Sequence, residues 1–476
     1  MISIMNPIKF GTGGWRAIIG DEFTRRHVQV FTYALCQKMK DEGVLNRGVI
    51  IGYDRRFLSD IAAHWAAEVF AAAGCPVRIV KHAAPTPLIM FAVKLFDLHY
   101  GLAITASHNP AIWNGIKLFT RGGRDADEKQ TAMMEKYIDK AYNAEIPIVD
   151  YQEGLKRGQI SVIDPLNSYI DSILTAIDTE AIRNAELNVV LDPMFGVSKT
   201  SLQTILMTAR CNVDVIHERR DTLFGGRMPS PSSGTLDALK TFVVENEADI
   251  GIATDGDADR LGVIDEKGRF LHPNEILVLL YYYLVKYKGW KGPVVRNLAT
   301  THLLDRVAEH LGEVCYEVPV GFKHISSKML ETDAVIGGES SGGLTVRGHI
   351  AGKDGIYAAS LLVEMMAVTG RKLSVIYKEI TDMLGEVYMA EKDYKFNADV
   401  KSSVVKLLMA DKKLPMFDVE VERVSYMDGC KVFFKNGGWL IARFSGTEPL
   451  IRIFCEMPSI ELADRQCNLM KEFLGV

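Results

Sequence analysis

Three helix-covered α/β domains in succession, followed by a smaller α+β domain, are what this sequence predicts. The first observation is a rhythm: short apolar runs alternate with helical patterns in three successive rounds. The second is a change toward the C-terminus, where four strand-like runs follow one another with short connections, as in an antiparallel sheet. The third is length. With 476 residues the chain exceeds what one hydrophobic core serves, so two to four domains are expected.

In the first round Thr24 is placed to cap a helix, because Val28, Phe31, Leu35 and Met39 then recur at helical spacing. Residues 48–53 form an apolar run ending at Asp54 and read as a buried strand. Ser59 is expected to cap an Ala-rich helix that stops near Gly74. Residues 76–80 and 101–104 are further buried strands, giving the βαβ rhythm of a mainly parallel sheet. The second round has strands at 187–191, 213–216 and 249–253. The third has strands at 293–295, 314–318 and 335–336, with helices between them. The final strands are expected at 419–426, 431–434, 439–444 and 451–455, ahead of a helix from about Ile460. Polar stretches at 150–159 and 391–399 are the linker candidates. No segment is of low complexity, and only the architecture repeats.

Composition excludes several classes. Lys and Arg number 55 against 60 Asp and Glu, a net charge of −5, so no basic surplus points to nucleic acid. No Lys/Arg-rich run suggests a membrane patch, and no stretch approaches the roughly 18 apolar residues of a membrane span. The seven cysteines are scattered without a CxxC pair, which argues against a disulfide framework or a zinc site and suits a reducing compartment. Met1 to Phe10 is too short and too polar for a signal peptide. A cytoplasmic protein is expected.

Four loops carry chemistry. Thr105-Ala106-Ser107-His108-Asn109-Pro110 follows the strand ending at Ile104, and ligands usually bind at such strand ends. Beside His108, Asn109 and nearby Lys117, the Ser107 hydroxyl is a candidate nucleophile or phosphate carrier, although the loop taken alone reads as an ordinary turn. Asp255-Gly256-Asp257-Ala258-Asp259-Arg260 alternates three carboxylates, a crowding that costs free energy unless a cation neutralises it. Hard oxygen ligands fit Mg²⁺. An EF-hand reading of Asp255, Asp257, Asp259 and Glu266 fails, because Arg260 stands where the calcium loop needs Gly and strands flank the loop. Gly337-Gly338-Glu339-Ser340-Ser341-Gly342-Gly343 lets backbone come close to a polyhydroxylated ligand, and Lys353 adds a cation just downstream. Arg443-Phe444-Ser445-Gly446-Thr447-Glu448-Pro449, with Arg452, is either a phosphate cradle or a hairpin turn bearing exposed arginines.

In this order the loops resemble those of the α-D-phosphohexomutase superfamily, and the resemblance covers essentially the whole chain. Phe10-Gly11-Thr12-Gly13-Gly14-Trp15-Arg16 is similar to the superfamily's N-terminal signature, which implies an active-site role for Arg16. Five motifs in sequence make coincidence a poor explanation. The resemblance implies mixed-sheet α/β domains at 1–150 (phosphoserine), 151–265 (metal) and 266–385 (sugar). A C-terminal α+β domain with an antiparallel sheet follows at 386–476 (phosphate), and the four surround a central cleft. It implies a resting phosphate on Ser107, with one Mg²⁺ per active site between that group and Asp255, Asp257 and Asp259.

The rest of the implied chemistry follows from that assignment. A hexose 1-phosphate is held by Arg443, Ser445, Gly446, Thr447 and Arg452, with its hydroxyls on Glu339 and Ser341. The sugar's 6-hydroxyl attacks phospho-Ser107 to form a hexose 1,6-bisphosphate, which also serves as activator. Arg260, Arg16 and Lys353 supply positive charge. Lys117 is the candidate proton acceptor and His108 the second choice. The Lys353-Asp354-Gly355 segment looks like that of glucose-preferring members, whereas glucosamine-preferring members are similar to Gly-Gly-Glu-Gln-Ser-Gly-His at the sugar loop. The expected order is therefore glucose, then glucose with mannose, then glucosamine. Lys323 and His324 lie where cations contact the phosphosugar, but the surrounding residues depart from the dual-specificity pattern. The competing readings are a metal-dependent phosphatase using Ser107 and a phosphosugar-binding protein without activity. The expected partner is a small phosphosugar, with neither nucleic acid nor membrane, and the chain is a monomer or homodimer.

Overall fold

In the computed structural model, which describes residues 8–11, 13–395, 398–444 and 450–476, Thr24 caps the helix Arg25–Asp41 by accepting the His27 N–H. The first sheet contains β1 (Trp15–Ile18), β2 (Val49–Tyr53), β3 (Val77–Val80), β4 (Tyr100–Ile104), β5 (Trp113–Thr120), β6 (Arg124–Asp125) and β7 (Ile160–Ile163). Their order is β1-β5-β4-β2-β3-β7, with β6 beside β5. Strands β4, β2, β3 and β7 are parallel, and β5 and β1 extend the sheet antiparallel. The core lies between this sheet and its helices, where Val28, Phe31, Leu35 and Met39 are all fully buried as their spacing predicts.

Two local expectations are corrected. Ser59 is not a cap: the cap position is Leu58, at φ 65°, and the Ser59 hydroxyl instead donates to the buried carboxylate of Asp54 at 2.7 Å. The stretch 150–159 is not a linker. Asp150 caps a helix, Tyr151–Lys156, by accepting the N–H groups of Gln152 and Glu153, and β7 then joins the first sheet. Its polar residues are the solvent face of that helix, so the first sheet runs past residue 150.

The second sheet has β8 (Asn188–Asp192), β9 (Asn212–Val215), β10 (Ile250–Thr254), β11 (Leu261–Asp265) and β12 (Phe270–Leu271), in the order β12-β11-β10-β8-β9. Strands β10, β8 and β9 are parallel, while β11 and β12 turn back antiparallel. One compact unit comprises the chain up to Ile276 together with Ser341–Ser374. The helix Gly355–Thr369 of that later segment is buried along most of its length.

The other compact unit, Leu277–Ser340 with Val375–Val476, contains two sheets. Strand Val294–Asn297 lies parallel between Cys315–Val318 and Ile336–Gly338. An antiparallel sheet then runs Tyr388–Lys395, Leu450–Met457, Trp439–Phe444, Cys430–Phe434, Val421–Ser425. Residues 391–395 of the other linker candidate are thus no linker either, but the end of an edge strand whose alternating polar residues face outward. Helix Ile460–Leu474 packs its buried Ala463, Cys467, Met470 and Leu474 into the core of this sheet. The architecture is the four-domain one expected, with mixed α/β sheets in the first three domains and an antiparallel sheet in the last.

Candidate active site

The Ser107 turn leaves the carboxyl end of β4, where the parallel strands open onto a ligand-binding edge. Ser107 itself adopts φ 52°, a left-handed conformation that costs a residue with a side chain free energy. Its N–H donates to Thr105 Oγ1 at 2.8 Å, and its fully buried Oγ donates to Asp255 Oδ2 at 2.8 Å. The His108 ring nitrogen Nδ1 stands 3.5 Å from the same Oγ.

The acidic loop leaves the end of β10, next to β8 in the parallel part of the second sheet. Its turn is closed by the Ala258 N–H on the Asp255 carbonyl at 3.0 Å, with Ala258 at φ 62°. Gly256 is required by close approach, since a Cβ there would sit 2.8 Å from the Ser107 carbonyl oxygen. Asp255, Asp257 and Asp259 are all buried and present carboxylate oxygens within 4.8 Å of one another. Lys117 projects from β5 and donates to Asp257 Oδ2 and Asp259 Oδ2, both at 2.6 Å. Thr86 Oγ1 donates to Asp257 Oδ2 at 2.6 Å, and Lys353 Nζ pairs with Asp259 Oδ2 at 2.9 Å.

The electrostatics separate the three carboxyls. Burial, reinforced by Asp257 and Asp259, pushes Asp255 well above the ordinary range. Burial and Asp259 also push Asp257 upward, but Lys117 and Thr86 outweigh them and the group lies below its usual value. Asp259 lies well below, because Lys117, Lys353 and Arg260 overcome burial. Burial would lower Lys117, yet the two aspartates win and hold its ammonium above the usual range. Burial first, then Arg260 and Arg16, drives His108 far below the ordinary imidazole value, so the ring is neutral.

The cluster fits a divalent cation. Asp257 Oδ1 and Asp259 Oδ1 are buried without a hydrogen-bond partner, and carboxylate oxygens are the donors Mg²⁺ prefers. Around the cluster stand three further predicted residues. Arg16 donates to Asn109 Oδ1 at 2.6 Å, the Arg260 N–H donates to Asp255 Oδ1 at 3.0 Å, and Arg260 Nε is buried without a partner. Ser341 belongs to the same compact unit, where the next residue is held close to the metal loop. The Leu261 N–H donates to the Gly342 carbonyl at 3.1 Å, with Gly342 at φ 91°.

Glu339, Arg443 and Arg452 belong to the other unit. Glu339 Oε1 accepts from Asn297 Nδ2 at 3.1 Å and from the Gly321 N–H at 3.2 Å. Arg443 and Arg452 face each other across neighbouring antiparallel strands. Like charges so placed repel unless anions accompany them. Asp428 takes Arg443 Nε at 3.0 Å, and Asp393 lies 3.6 Å from Arg452 Nε. Ser445, Gly446 and Thr447 lie outside the described residues.

Comparison with known proteins identifies the family. Four consecutive segments match phosphoglucomutase/phosphomannomutase: alpha/beta/alpha domain I over residues 7–145, domain II over 167–268, domain III over 272–384 and the C-terminal domain over 404–472. The phosphoglucomutase/phosphomannomutase of Thermococcus kodakarensis is 32% identical over 461 residues, which cover 97% of each chain. The chain belongs to the phosphoglucomutase/phosphomannomutase family. As a phosphohexomutase it is an enzyme that isomerises sugar phosphates. The phosphoglucomutase of Komagataeibacter xylinus is 28% identical, over 94% of this chain and 87% of its own. The phosphoglucosamine/phosphogalactosamine mutase of Sulfurisphaera tokodaii is likewise 28% identical, over 98% of both. A Thermus thermophilus chain solved as a candidate phosphomannomutase superposes with a TM-score of 0.86 at 29% identity, covering 99% of this chain and 100% of that one.

Phosphohexomutases are generally Mg²⁺-dependent, which agrees with the donor set of the aspartate cluster. No helix among the described residues is long and apolar enough to cross a membrane. Three residues of this phosphohexomutase went unread in the sequence. Thr86 carries no reading in the sequence, and Asp54 reads only as the end of a strand. Arg56, fully buried, binds the Ser107 turn. The signal available for the last two was Asp54-Arg55-Arg56 at the carboxyl end of an apolar run, the strand edge that supplied the other loops.

Proposed function

We propose that this phosphohexomutase interconverts hexose 1-phosphate and hexose 6-phosphate, glucose foremost, through phospho-Ser107 and a hexose 1,6-bisphosphate. The observation that carries the reading is the buried Ser107 hydroxyl, 2.8 Å from Asp255 in a cluster that also holds two buried aspartate oxygens without a partner. Asp255, Asp257 and Asp259, with Ser107, would hold Mg²⁺. When bound, that ion supplies charge stabilisation to the transferring phosphoryl group.

The chain's own groups do the remainder. Arg16 and Arg260 neutralise phosphoryl charge, and Lys353 adds to them through its place beside Asp259. Glu339 and Ser341 accept and donate to sugar hydroxyls in either orientation. Arg443 and Arg452, with Ser445, Gly446 and Thr447, hold the phosphate that is not being transferred. Lys117, which must first give up the proton that Asp257 and Asp259 stabilise on it, is the proposed proton acceptor, and the neutral His108 the second. The limb of the pH–rate profile over which activity rises with pH separates them, because only the acceptor's variant (Lys117→Met or His108→Gln) loses that limb.

Glucose ranks first on the Lys353-Asp354-Gly355 segment, ahead of combined glucose and mannose activity and of glucosamine. Named relatives include phosphoglucomutases and a phosphoglucosamine/phosphogalactosamine mutase, so kcat/KM on glucose, mannose and glucosamine 1-phosphates is the deciding measurement. Hexose 1,6-bisphosphate is the proposed activator, and the chain is proposed to act in the cytoplasm as monomer or homodimer. Incubation with glucose 1-phosphate and Mg²⁺ should yield glucose 6-phosphate; free phosphate instead would identify a phosphatase. Binding without isomerisation would identify a dead scaffold. Ser107→Ala should remove turnover while circular dichroism stays unchanged, and normal activity in that variant would end the phosphoserine assignment.

A further inference from the structure

One guanidinium gathers four backbone carbonyls of the serine turn. Arg56 Nη2 donates to the carbonyls of Ser107 and Asn109, both at 2.6 Å. Arg56 Nη1 donates to those of Pro110 at 2.9 Å and Trp113 at 3.0 Å. The remaining N–H, on Nε, lies 3.3 Å from Asp54 Oδ2. The side chain is fully buried, and the Phe224 ring covers its face at 4.9 Å.

Burying a guanidinium is costly unless its donors are satisfied, so a merely structural arginine is expected to meet whichever acceptors surround it. Here the four terminal N–H groups all serve residues 107–113. Ser107 is the strained residue of that turn, and such a conformation persists only where the surroundings over-determine it. Asp54 completes the grip from the other side. Thr105 Oγ1 donates to Asp54 Oδ2 at 2.6 Å and accepts the Ser107 N–H. Asp54 and Arg56 therefore fix both the amide and the carbonyl of Ser107 without touching its Oγ.

We propose that Arg56 is a positioning residue of phosphoryl transfer, clamping the Ser107 turn so that Oγ keeps its aim at the aspartate cluster. The inference rests on Ser107 as the phosphoryl carrier. In that role Oγ alternates between hydroxyl and phosphate ester, a change of roughly 1.5 to 2 charges at each transfer. A turn held through Oγ would reset each time. A turn held through its backbone keeps one geometry in both states, and a displacement of about 1 Å at the reacting atoms costs on the order of 10²-fold in rate. Lys cannot substitute, because an ammonium offers three donors and no planar fork.

The test uses Arg56→Lys and Arg56→Ala in the full chain, with Ser107→Ala as reference. Arg56→Lys should lower kcat about 10²-fold while KM for glucose 1-phosphate changes less than about threefold. Guanidinium chloride at low millimolar concentration, but not potassium chloride, should restore at least about tenfold of the activity lost in Arg56→Ala. Transfer of labelled phosphate from glucose 1,6-bisphosphate to the protein should slow in both Arg56 variants and be absent from Ser107→Ala. Labelling of Ser107→Ala at the normal rate would overturn the phosphoserine reading itself. A Ser107→Ala chain that stays unlabelled, beside an Arg56→Lys chain with normal kcat and labelling, would overturn the role of Arg56 alone. If Arg56→Ala does not fold, the split between kcat and KM in Arg56→Lys decides, and a lower Tm with kcat unchanged would make Arg56 structural.

Discussion

Ser107 and Lys117 sit ten positions apart, yet they reach the same carboxylate cluster by different routes. Ser107 arrives on a strained turn after β4, whereas Lys117 arrives from the interior of β5, which returns antiparallel beside β4. In the sequence, Lys117 was read as near the serine only because the separation is short. That inference held because a tight return places residues of equal distance from the turn side by side, as the pairing of Lys117 with Ala103 shows. Arg56 could not be read the same way, since it lies 51 residues from Ser107 and meets it only when β2 and β4 pair. Lys117 is also the residue whose loss should be felt most in the metal-free chain. Lys117→Met leaves Asp257 and Asp259 buried with one fewer cation, Lys353 remaining on Asp259 alone. Breaking a buried pair from one side costs about 3 kcal/mol or more. Urea unfolding with a chelator should register that loss, and Mg²⁺ should return part of it. Equal stability of variant and parent in chelator would show that the aspartates do not depend on Lys117.

Among elements, apolar runs were legible and polar ones misled. The strands after Gly48 and Tyr100, and the last three of the antiparallel sheet, announced themselves as buried runs bounded by turn residues. The helix at Tyr151 and residues 391–395 of the edge strand at Tyr388 read in the sequence as linkers. Each presents most of its polar residues to water and has only a short buried side. The Lys353-Asp354-Gly355 segment was legible as chemistry but not as structure. Asp354 caps the helix Gly355–Thr369 by accepting the N–H groups of Ile356 and Tyr357, and it also accepts the Tyr169 hydroxyl at 2.8 Å. It therefore ties the element behind Lys353 to the helix Leu166–Ala176. Asp354→Ala should cost about 2 kcal/mol, the upper range for a lost cap. Because the neighbouring Lys353 reaches Asp259, KM for the sugar phosphate should rise as well. Urea titration and steady-state kinetics check the two effects, and a stability change within about 0.5 kcal/mol would count against the cap.

For the whole molecule, chain order and compactness part company. Ser341–Ser374 groups with the first 276 residues, where the buried helix Gly355–Thr369 packs and where Lys353 and Asp354 bond to Asp259 and Tyr169. No sequence pattern announces such pairings, since both ends are single polar residues. The second unit is tied internally by a buried polar network, equally silent in the sequence. Lys431 donates to the Leu298 carbonyl at 2.7 Å, to Glu317 at 2.6 Å and to His302 Nε2 at 3.0 Å, while the His302 ring stacks on Trp439. Burial, then Arg296, depresses His302 to about 4, with Lys431 adding to the effect against Glu317. The folded chain thus binds this proton more weakly than the unfolded chain, whose imidazole titrates near 6.5. The stability it contributes is fully present above pH 6.5 and is lost as pH falls from about 6.5 toward 4. Between pH 7 and 5 the loss amounts to roughly 20-fold in an opening equilibrium, just short of ~2 kcal/mol. Amide exchange of strands Val294–Asn297 and Trp439–Phe444, corrected for the intrinsic rate, should therefore speed by about that factor on acidification. In His302→Gln, whose side chain does not titrate, the acceleration should shrink to a few-fold. If parent and variant accelerate alike, His302 is not the group that loosens this unit in acid.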